Sequence, residues 1–150
     1  MLGLVYAGVD LLEAMADKEI VDRAARYIRE RDPRASIWYV GFWGVQFYAD
    51  RAGMKPTIPG VSWLRRGDWL VVPGDRVVQQ KIQIDADRAR LVDSISVEDV
   101  VPVSTKLRYY GGRTPMEHLG APRASARMYR LTADFVPMAG KLGPEGSGGH

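Results

Sequence analysis

The sequence contains no cysteine and only two histidines. The absence of cysteine excludes disulfide bonds, thiolate metal sites and cysteine nucleophiles. Neither a serine-nucleophile pattern nor metal-ligand spacing surrounds the histidines, which are His118, next to Glu117, and His150, in the tail. Asp85 and Asp87 form an acidic pair, but no third and fourth ligand follow at the spacing of a cation site. We therefore predict no catalytic residue, no metal and no cofactor, with Asp85 and Asp87 in a solvated turn.

The sequence also lacks a hydrophobic run long enough to span a bilayer. The first nine residues, MLGLVYAGV, carry no charged side chain, but a spanning helix needs about 20 apolar residues. The basic start and small-residue cleavage site of a signal peptide are absent as well. Two interpretations stay open. The segment is either the first turns of a helix or a short strand packed on the core, which composition alone favours, or the exit end of a membrane helix.

What is present is typical of a globular domain. Apolar residues make up 46% of the 150 residues, and four tryptophans and seven tyrosines are among the aromatics, which argues against disorder. The formal net charge is +3, and no RNA- or DNA-binding motif accompanies the basic residues, so we predict no nucleic-acid partner. We assign residues 1–139 to one domain and residues 140–150 to a flexible glycine-rich tail.

The most regular pattern in the sequence predicts a helix from Asp10 to Arg31, ended by Asp32-Pro33. Asp10 is its predicted N-cap, and Glu13, three residues on, completes a capping-box-like pair. Glu13 is also assigned to the solvent-facing part of the circumference. The predicted packed face repeats every four residues and consists of Leu12, Ala16, Ile20, Ala24 and Ile28.

A strand, a short aromatic helix, a loop and a second strand are predicted next. Ile37 to Phe42 is a continuous apolar run typical of a strand buried on both faces. The helix that follows has Val45, Tyr48 and Ala49 on one side and stops near Gly53. The proline-broken segment after it is a loop with room for a short edge strand, and Asp68 to Pro73 is the predicted neighbour of the first strand.

The second half of the chain predicts further strands. Val77 to Ile84 alternates like a half-buried strand, and Leu91 to Val103 and Arg127 to Val136 also look extended. Tyr109 to Ala124 is predicted to be loop because glycines and prolines interrupt it. The predicted fold is therefore α/β, with a small mixed, partly parallel sheet of about five strands. The amphipathic N-terminal helix and the short aromatic helix are expected to pack on this sheet.

The turn between the first strand and the aromatic helix is the leading candidate for a binding site. Gly41 and Gly44 allow close approach of a ligand or of a neighbouring segment. As a phosphate loop the pattern is weak, because it lacks the third glycine of dinucleotide-binding turns and the Lys-Ser/Thr of a P-loop. The surrounding aromatic residues fit either a core or a platform on which a sugar stacks.

Three stretches of the sequence carry a resemblance to a known family. The runs YVGFWGVQFYADRAGMKP, RRGDWLVVPG and VEDVVPVST resemble the soluble region after the last membrane helix of bacterial polytopic glycosyltransferases. These enzymes are similar to the dolichyl-phosphate-mannose–protein mannosyltransferase and aminoarabinose-transferase group. The family's strand-to-helix turn matches Gly41, Trp43, Gly44, Gln46 and Tyr48. Its later motifs match Ala52, Gly53, Met54, Gly67, Asp68, Pro73, Pro102 and Thr105.

The resemblance covers roughly residues 1–136 and has functional implications. MLGLVYAGVDLLEA would be the end of the final membrane helix. In the family the catalytic acidic residue and the lipid-phosphate site lie in the membrane half, so no catalytic residue is carried over. The chain is then expected to be a non-catalytic, extracytoplasmic domain on the periplasmic side of the cytoplasmic membrane. Its partners would be the membrane half of the parent enzyme and a glycan or lipid-linked sugar, with Gly41, Trp43, Gly44, Gln46 and Tyr48 as binding residues.

Two other classes of protein remain as alternatives. The first is a stand-alone soluble α/β domain, cytoplasmic in location, that binds a small ligand at the Gly41–Gly44 turn and loses it on Gly44→Val. The second is a structural or assembly module, which would form a stable oligomer and bind no ligand. An independent enzyme has the least support, because no nucleophile, base and orienting group can be assembled from the spacing.

Overall fold

The computed structural model of the protein describes residues 2–41, 44–74, 82–98, 122 and 124–140, with side chains from residue 8 onward. Two α-helices, a five-stranded mixed sheet and a two-stranded sheet form the described part. The helices are α1, Leu2–Arg31, and α2, Gly44–Arg51. The strands are β1, Ile37–Tyr39; β2, Lys55–Pro56; β3, Trp69–Pro73; β4, Ile82–Gln83; β5, Ala89–Val97; β6, Ala124–Leu131; and β7, Met138–Ala139. The α/β class, the partly parallel sheet and the number of strands in it confirm the prediction.

Helix α1 begins earlier than the sequence pattern predicted. It includes residues 2–9 as its first turns, so Asp10 lies inside the helix and the prediction that it is the N-cap is wrong. The predicted end is confirmed, since the Asp32 amide donates to the Ile28 carbonyl at 2.7 Å and Pro33 follows. In the described part of the chain, no helix combines the length and the apolar character that a membrane crossing requires.

The buried face of α1 is rotated from the predicted one near its N-terminus. Leu12 is 39% exposed, although it was assigned to the packed face, while Glu13 and Asp17 are only 5% and 7% exposed. The predicted packing of Ile20 and Ile28 is confirmed. A four-residue apolar repeat drifts around a helix of 3.6 residues per turn, so it cannot fix one face over this length.

The sheet has the strand order β2-β1-β3-β6-β5. Strand β1 pairs in parallel with β2 on one side and β3 on the other, as predicted for the neighbour of the first strand. Strands β6 and β5 are added antiparallel, so two of the strands predicted in the second half join this sheet. Strand β2 is an edge strand, where Pro56 costs no ladder hydrogen bond. Strands β4 and β7 form a separate two-stranded sheet.

The short helix α2 ends where the sequence predicted. Gly53 has φ +71°, and its amide donates to the Asp50 carbonyl at 3.0 Å. The Met54 amide donates to the Ala49 carbonyl at 2.9 Å. This pair of bonds is a Schellman motif, which needs a residue of left-handed conformation at its centre and therefore favours glycine.

Each face of the sheet is covered by a different layer. Helices α1 and α2 pack on one face, where the buried cluster includes Ile28, Tyr39 and Met128. The other face carries a second cluster around Leu64 and Leu70, formed with the segments that run before β3 and after β6. These segments are joined by paired backbone hydrogen bonds between Leu64 and Phe135, 3.0 Å and 2.9 Å long. The predicted packing of both helices on the sheet is confirmed.

Several predictions for the second half lie outside the described residues. They include the start of the Val77 to Ile84 strand, the end of the Leu91 to Val103 strand, most of the Tyr109 to Ala124 loop, and the tail after Gly140. Within the described part, β5 spans Ala89–Val97, with a register shift between Leu91 and Asp93, and β6 begins three residues before the predicted Arg127.

Candidate functional site

The predicted turn separates into residues with different surroundings. Gly41 has φ +132°, a conformation that favours glycine. At Gly44 a Cβ atom would lie 2.7 Å from Oδ2 of Asp17, so the close approach predicted for this glycine is made by a side chain of α1. Tyr48 is half-buried and packs against the core, and Gln46 is exposed. Trp43 lies outside the described residues.

A small cavity at the carboxyl end of β1 brings two of the predicted residues together. Gly41 and Gln46 line it, together with Tyr39 and the residues 56–59. Ligands of open α/β sheets commonly bind at this edge. The cavity measures about 120 Å³, which is below the range of roughly 300–1,000 Å³ that is typical of ligand sites.

Tyr39, in the wall of this cavity, is held neutral by its surroundings. Its side chain is 1% exposed, and its hydroxyl donates to Oδ1 of Asp50 at 3.0 Å. Burial, followed by the hydrogen bond to the Asp50 carboxylate and the charge of that carboxylate, raises the pKa of the Tyr39 phenol well above its usual range. The phenol therefore links β1 to α2 as a hydrogen-bond donor and is not poised as a base.

A larger cleft lies at the opposite edge of the parallel strands. It measures about 560 Å³ and is lined by Ser36, just before β1, and by Gly67 and Asp68, just before β3. Its volume falls within the range of roughly 300–1,000 Å³ that is typical of ligand sites. We call it the basic cleft, because its walls carry two carboxylates, Asp32 and Asp68, against five cationic side chains: Arg34, Lys55, Arg65, Arg66 and Arg130.

Both carboxylates of the basic cleft are engaged by the protein itself. Asp32 forms an ion pair with Arg130. Asp68 accepts hydrogen bonds from Nε1 of Trp38 at 2.8 Å and from the Arg65 amide at 3.0 Å. Within the described residues, the guanidinium groups of Arg65 and Arg66 form no ion pair. The cleft is therefore electropositive and suited to an anionic ligand.

Two tryptophans give the basic cleft its apolar surface. The indole of Trp38 is fixed in orientation by its hydrogen bond to Asp68, and Nζ of Lys55 lies 5.4 Å from its ring centroid. Trp63 is 64% exposed, an unusual degree for the largest apolar side chain. Lys55 also donates to Oγ of Ser36 at 3.0 Å. Exposed indole rings beside guanidinium groups can stack on a sugar or base while a phosphate is bound by charge.

Our sequence reasoning missed this cleft. The run WLRRGDW, residues 63–69, contains one tryptophan and two arginines of the cleft, Trp63, Arg65 and Arg66, but loops rarely reveal from sequence where their side chains point. The sequence signal by which the cleft can be found is the concentration of tryptophan and arginine in a loop that directly precedes a buried strand.

The other residues considered in the sequence analysis are Asp85, Asp87 and His118, of which the structure describes the two aspartates. Asp85 and Asp87 lie in the exposed segment before β5, where Asp85 pairs with Arg88 at 3.7 Å, as expected of a solvated turn. His118 is outside the described residues. Across residues 2–41, 44–74, 82–98, 122 and 124–140, no group of three or more potential ligands could hold a metal ion.

The comparison of this chain with known proteins found no relative. No protein-family model, no curated protein and no solved structure matches the chain. The fold and the cleft together define a small α/β domain with a mixed sheet and an electropositive, tryptophan-lined cleft at the amino ends of its parallel strands.

Proposed function

We propose that this chain is a non-catalytic, extracytoplasmic domain of a membrane-embedded glycosyltransferase that uses lipid-linked sugar, and that it positions a phosphate-bearing glycan. The observation that carries the proposal is the basic cleft, in which two tryptophans stand beside an excess of arginine and lysine. The family resemblance of the turn and strand motifs points to the same class of parent protein. The membrane half of that parent is the expected partner.

The chemistry of a sugar phosphate fits the cleft in two ways. The apolar face of a pyranose ring stacks on an indole, and Trp63 is exposed and Trp38 fixed in orientation. A phosphate accepts paired hydrogen bonds from a guanidinium group, and Arg65 and Arg66 are adjacent in the wall of the basic cleft. The ligand class is therefore a sugar that carries phosphate.

The surroundings of the carboxylates support binding without catalysis. Glycoside chemistry commonly needs a carboxylic acid and a free carboxylate. In the basic cleft, Asp32 is paired with Arg130, and Asp68 orients Trp38 and caps the turn at Arg65. Both acids thus serve to hold neighbouring side chains and backbone in place.

The binding part of the proposal is tested by titrating the chain with a hexose 1-phosphate. Arg65→Glu and Trp63→Ala are each expected to weaken binding by about tenfold or more, because each removes a charged hydrogen bond or a stacking face. Arg26→Glu, an exposed arginine of α1, is the matched control and should bind like the wild type. Equal affinity of all four proteins would contradict the assignment of the cleft.

The membrane part of the proposal is tested in the full-length transferase. Removal of residues 1–139, or Arg65→Glu within them, should change acceptor choice or turnover, because the glycan would no longer be held over the membrane site. Unchanged acceptor choice and turnover after removal of the domain would overturn the proposal.

A second candidate function is a stand-alone domain that binds a small ligand at the Gly41–Gly44 turn. The observation that favours it is the cavity of about 120 Å³ beside Gly41 and Gln46. A ligand of only a few atoms fits this volume. Saturable binding of such a ligand, lost on Gln46→Ala but not on Arg65→Glu, would support this candidate over the first.

A further inference from the structure

Five apolar side chains stand exposed on two neighbouring segments beside the basic cleft. Val61 is 72% exposed, Trp63 64%, Met138 60%, Ile58 50% and Val136 38%. The segments are neighbours because the Gly60 amide donates to the Pro137 carbonyl at 2.8 Å. We call these five residues the apolar rim. Single exposed apolar side chains are ordinary, but a group on adjacent segments indicates an interaction surface.

The backbone beneath the apolar rim is held by a hydrogen-bond network. The amide of Ile58 donates to Oγ of the buried Ser62 at 2.8 Å, and that hydroxyl lies 3.3 Å from the Pro56 carbonyl. Gly60 adopts φ +75°, which turns the chain between Ile58 and Val61. The Ser62 hydroxyl and the Ile58 amide are thus satisfied within the loop, while the side chains of Ile58 and Val61 face solvent.

Positive charge borders the apolar rim. Trp63 belongs both to the rim and to the wall of the basic cleft, and Arg65 and Arg66 follow it directly, both exposed. Lys55 is exposed on the same cleft. Apolar and indole side chains flanked by arginine and lysine are the composition of surfaces that lie in the headgroup region of anionic bilayers.

We propose that the apolar rim docks on an anionic lipid surface, with Trp63 at the level of the headgroups and Arg65 and Arg66 against the lipid phosphates. The positive charge that borders the rim, at Lys55, Arg65 and Arg66, selects an anionic surface over a neutral apolar partner. The docked orientation places the basic cleft next to the bilayer surface, where the phosphate of a lipid-linked sugar lies. The ligand in the cleft rests on the proposed function, whereas docking itself needs no sugar.

The test measures binding of the 150-residue chain to vesicles of phosphatidylglycerol with phosphatidylcholine and to vesicles of phosphatidylcholine alone. We expect binding to the anionic vesicles, with a blue shift of tryptophan emission that Trp63→Phe removes. Val61→Ser with Met138→Ser should weaken the partition coefficient by about tenfold or more, since burial of large apolar side chains is lost. Arg65→Glu should weaken it by about fivefold or more.

The matched control is Phe47→Ser with Leu91→Ser, two side chains 56% and 52% exposed on α2 and β5. This variant should bind vesicles like the wild type. No binding to anionic vesicles, or equal loss in the control and rim variants, would overturn the docking surface, and the rim would then cover a protein partner. Because this assay contains no sugar, its failure is distinguishable from failure of hexose 1-phosphate binding.

Discussion

Gly44 offers the sharpest test of how the strand-to-helix turn is built. In Gly44→Ala, the new Cβ would lie 2.7 Å from Oδ2 of Asp17, a distance that real Cβ contacts essentially never show. Asp17 is 7% exposed and its side chain is short, so it has little room to withdraw. Overpacking of this kind costs about 1–3 kcal/mol. Alanine regains up to about 1 kcal/mol over glycine in a helix, so with the full gain subtracted we expect a net loss of up to about 2 kcal/mol.

The assay is urea unfolding followed by tryptophan fluorescence, with a double-mutant cycle at Asp17. In the Asp17→Ala background the clash is gone, so Gly44→Ala should be neutral or slightly stabilising. Gly8→Ala is the matched control, because nothing lies within 4 Å of its Cβ position in α1. It should stabilise the protein by up to about 1 kcal/mol.

One result would refute the steric reasoning. If Gly44→Ala lowers the free energy of unfolding equally with and without Asp17, contact with the Asp17 carboxylate is not the reason that residue 44 is glycine. Glycine would then be required at residue 44 for ligand binding or for backbone conformation, and the second candidate function would gain support. If Gly44→Ala instead lowers the free energy of unfolding only when Asp17 is present, the glycine is needed for packing between α1 and α2.

Two further predictions concern burial. Because the folded state raises the pKa of Tyr39 above the ordinary value of about 10, its contribution to stability is full below about pH 10. It falls as the pH rises further, by up to about 1.4 kcal/mol per pH unit. In urea unfolding at a series of pH values, Tyr39→Phe should remove this part of the decline and Tyr48→Phe should keep it; identical profiles would contradict the prediction. Ile28→Ala, at a fully buried position of α1, should cost about 2–5 kcal/mol, whereas Leu11→Ala, 61% exposed, should stay within about 0.5 kcal/mol. Similar losses in both would mean that α1 does not pack on the sheet as described.

Local sequence patterns predicted the ends of the helices correctly where proline or glycine restricts or extends the backbone conformation. Asp32-Pro33 ends α1, and Gly53 ends α2 through a left-handed residue that glycine adopts readily. The apolar run from Trp69 to Pro73 predicted a strand, and it forms β3, the middle strand of the five-stranded sheet. The N-terminal boundary of α1 was left open between two interpretations, because an uncharged stretch such as residues 2–9 carries no N-cap and no alternation of polar and apolar residues.

The candidate site was less predictable, because it depends on which loops meet. Trp38 and Asp68 are 30 positions apart, and parallel pairing of β1 and β3 brings them into one hydrogen bond. Arg130 reaches the same cleft through antiparallel pairing with Trp69. No local pattern encodes these juxtapositions. The burial of Asp17 likewise depends on where α2 packs, because Gly44 of α2 lies directly against its carboxylate, and the helical period alone does not contain this contact.

The most direct measurement of the central claim is a titration of the isotopically labelled chain with a hexose 1-phosphate, followed by NMR amide shifts. Binding in the basic cleft predicts saturable shifts at Ser36, Lys55 and residues 63–68, and a chemical-shift change of the Trp38 indole N–H resonance. Shifts confined to Gly41 and Gln46 at the opposite edge of the parallel strands, or no saturable shift at all, would contradict it.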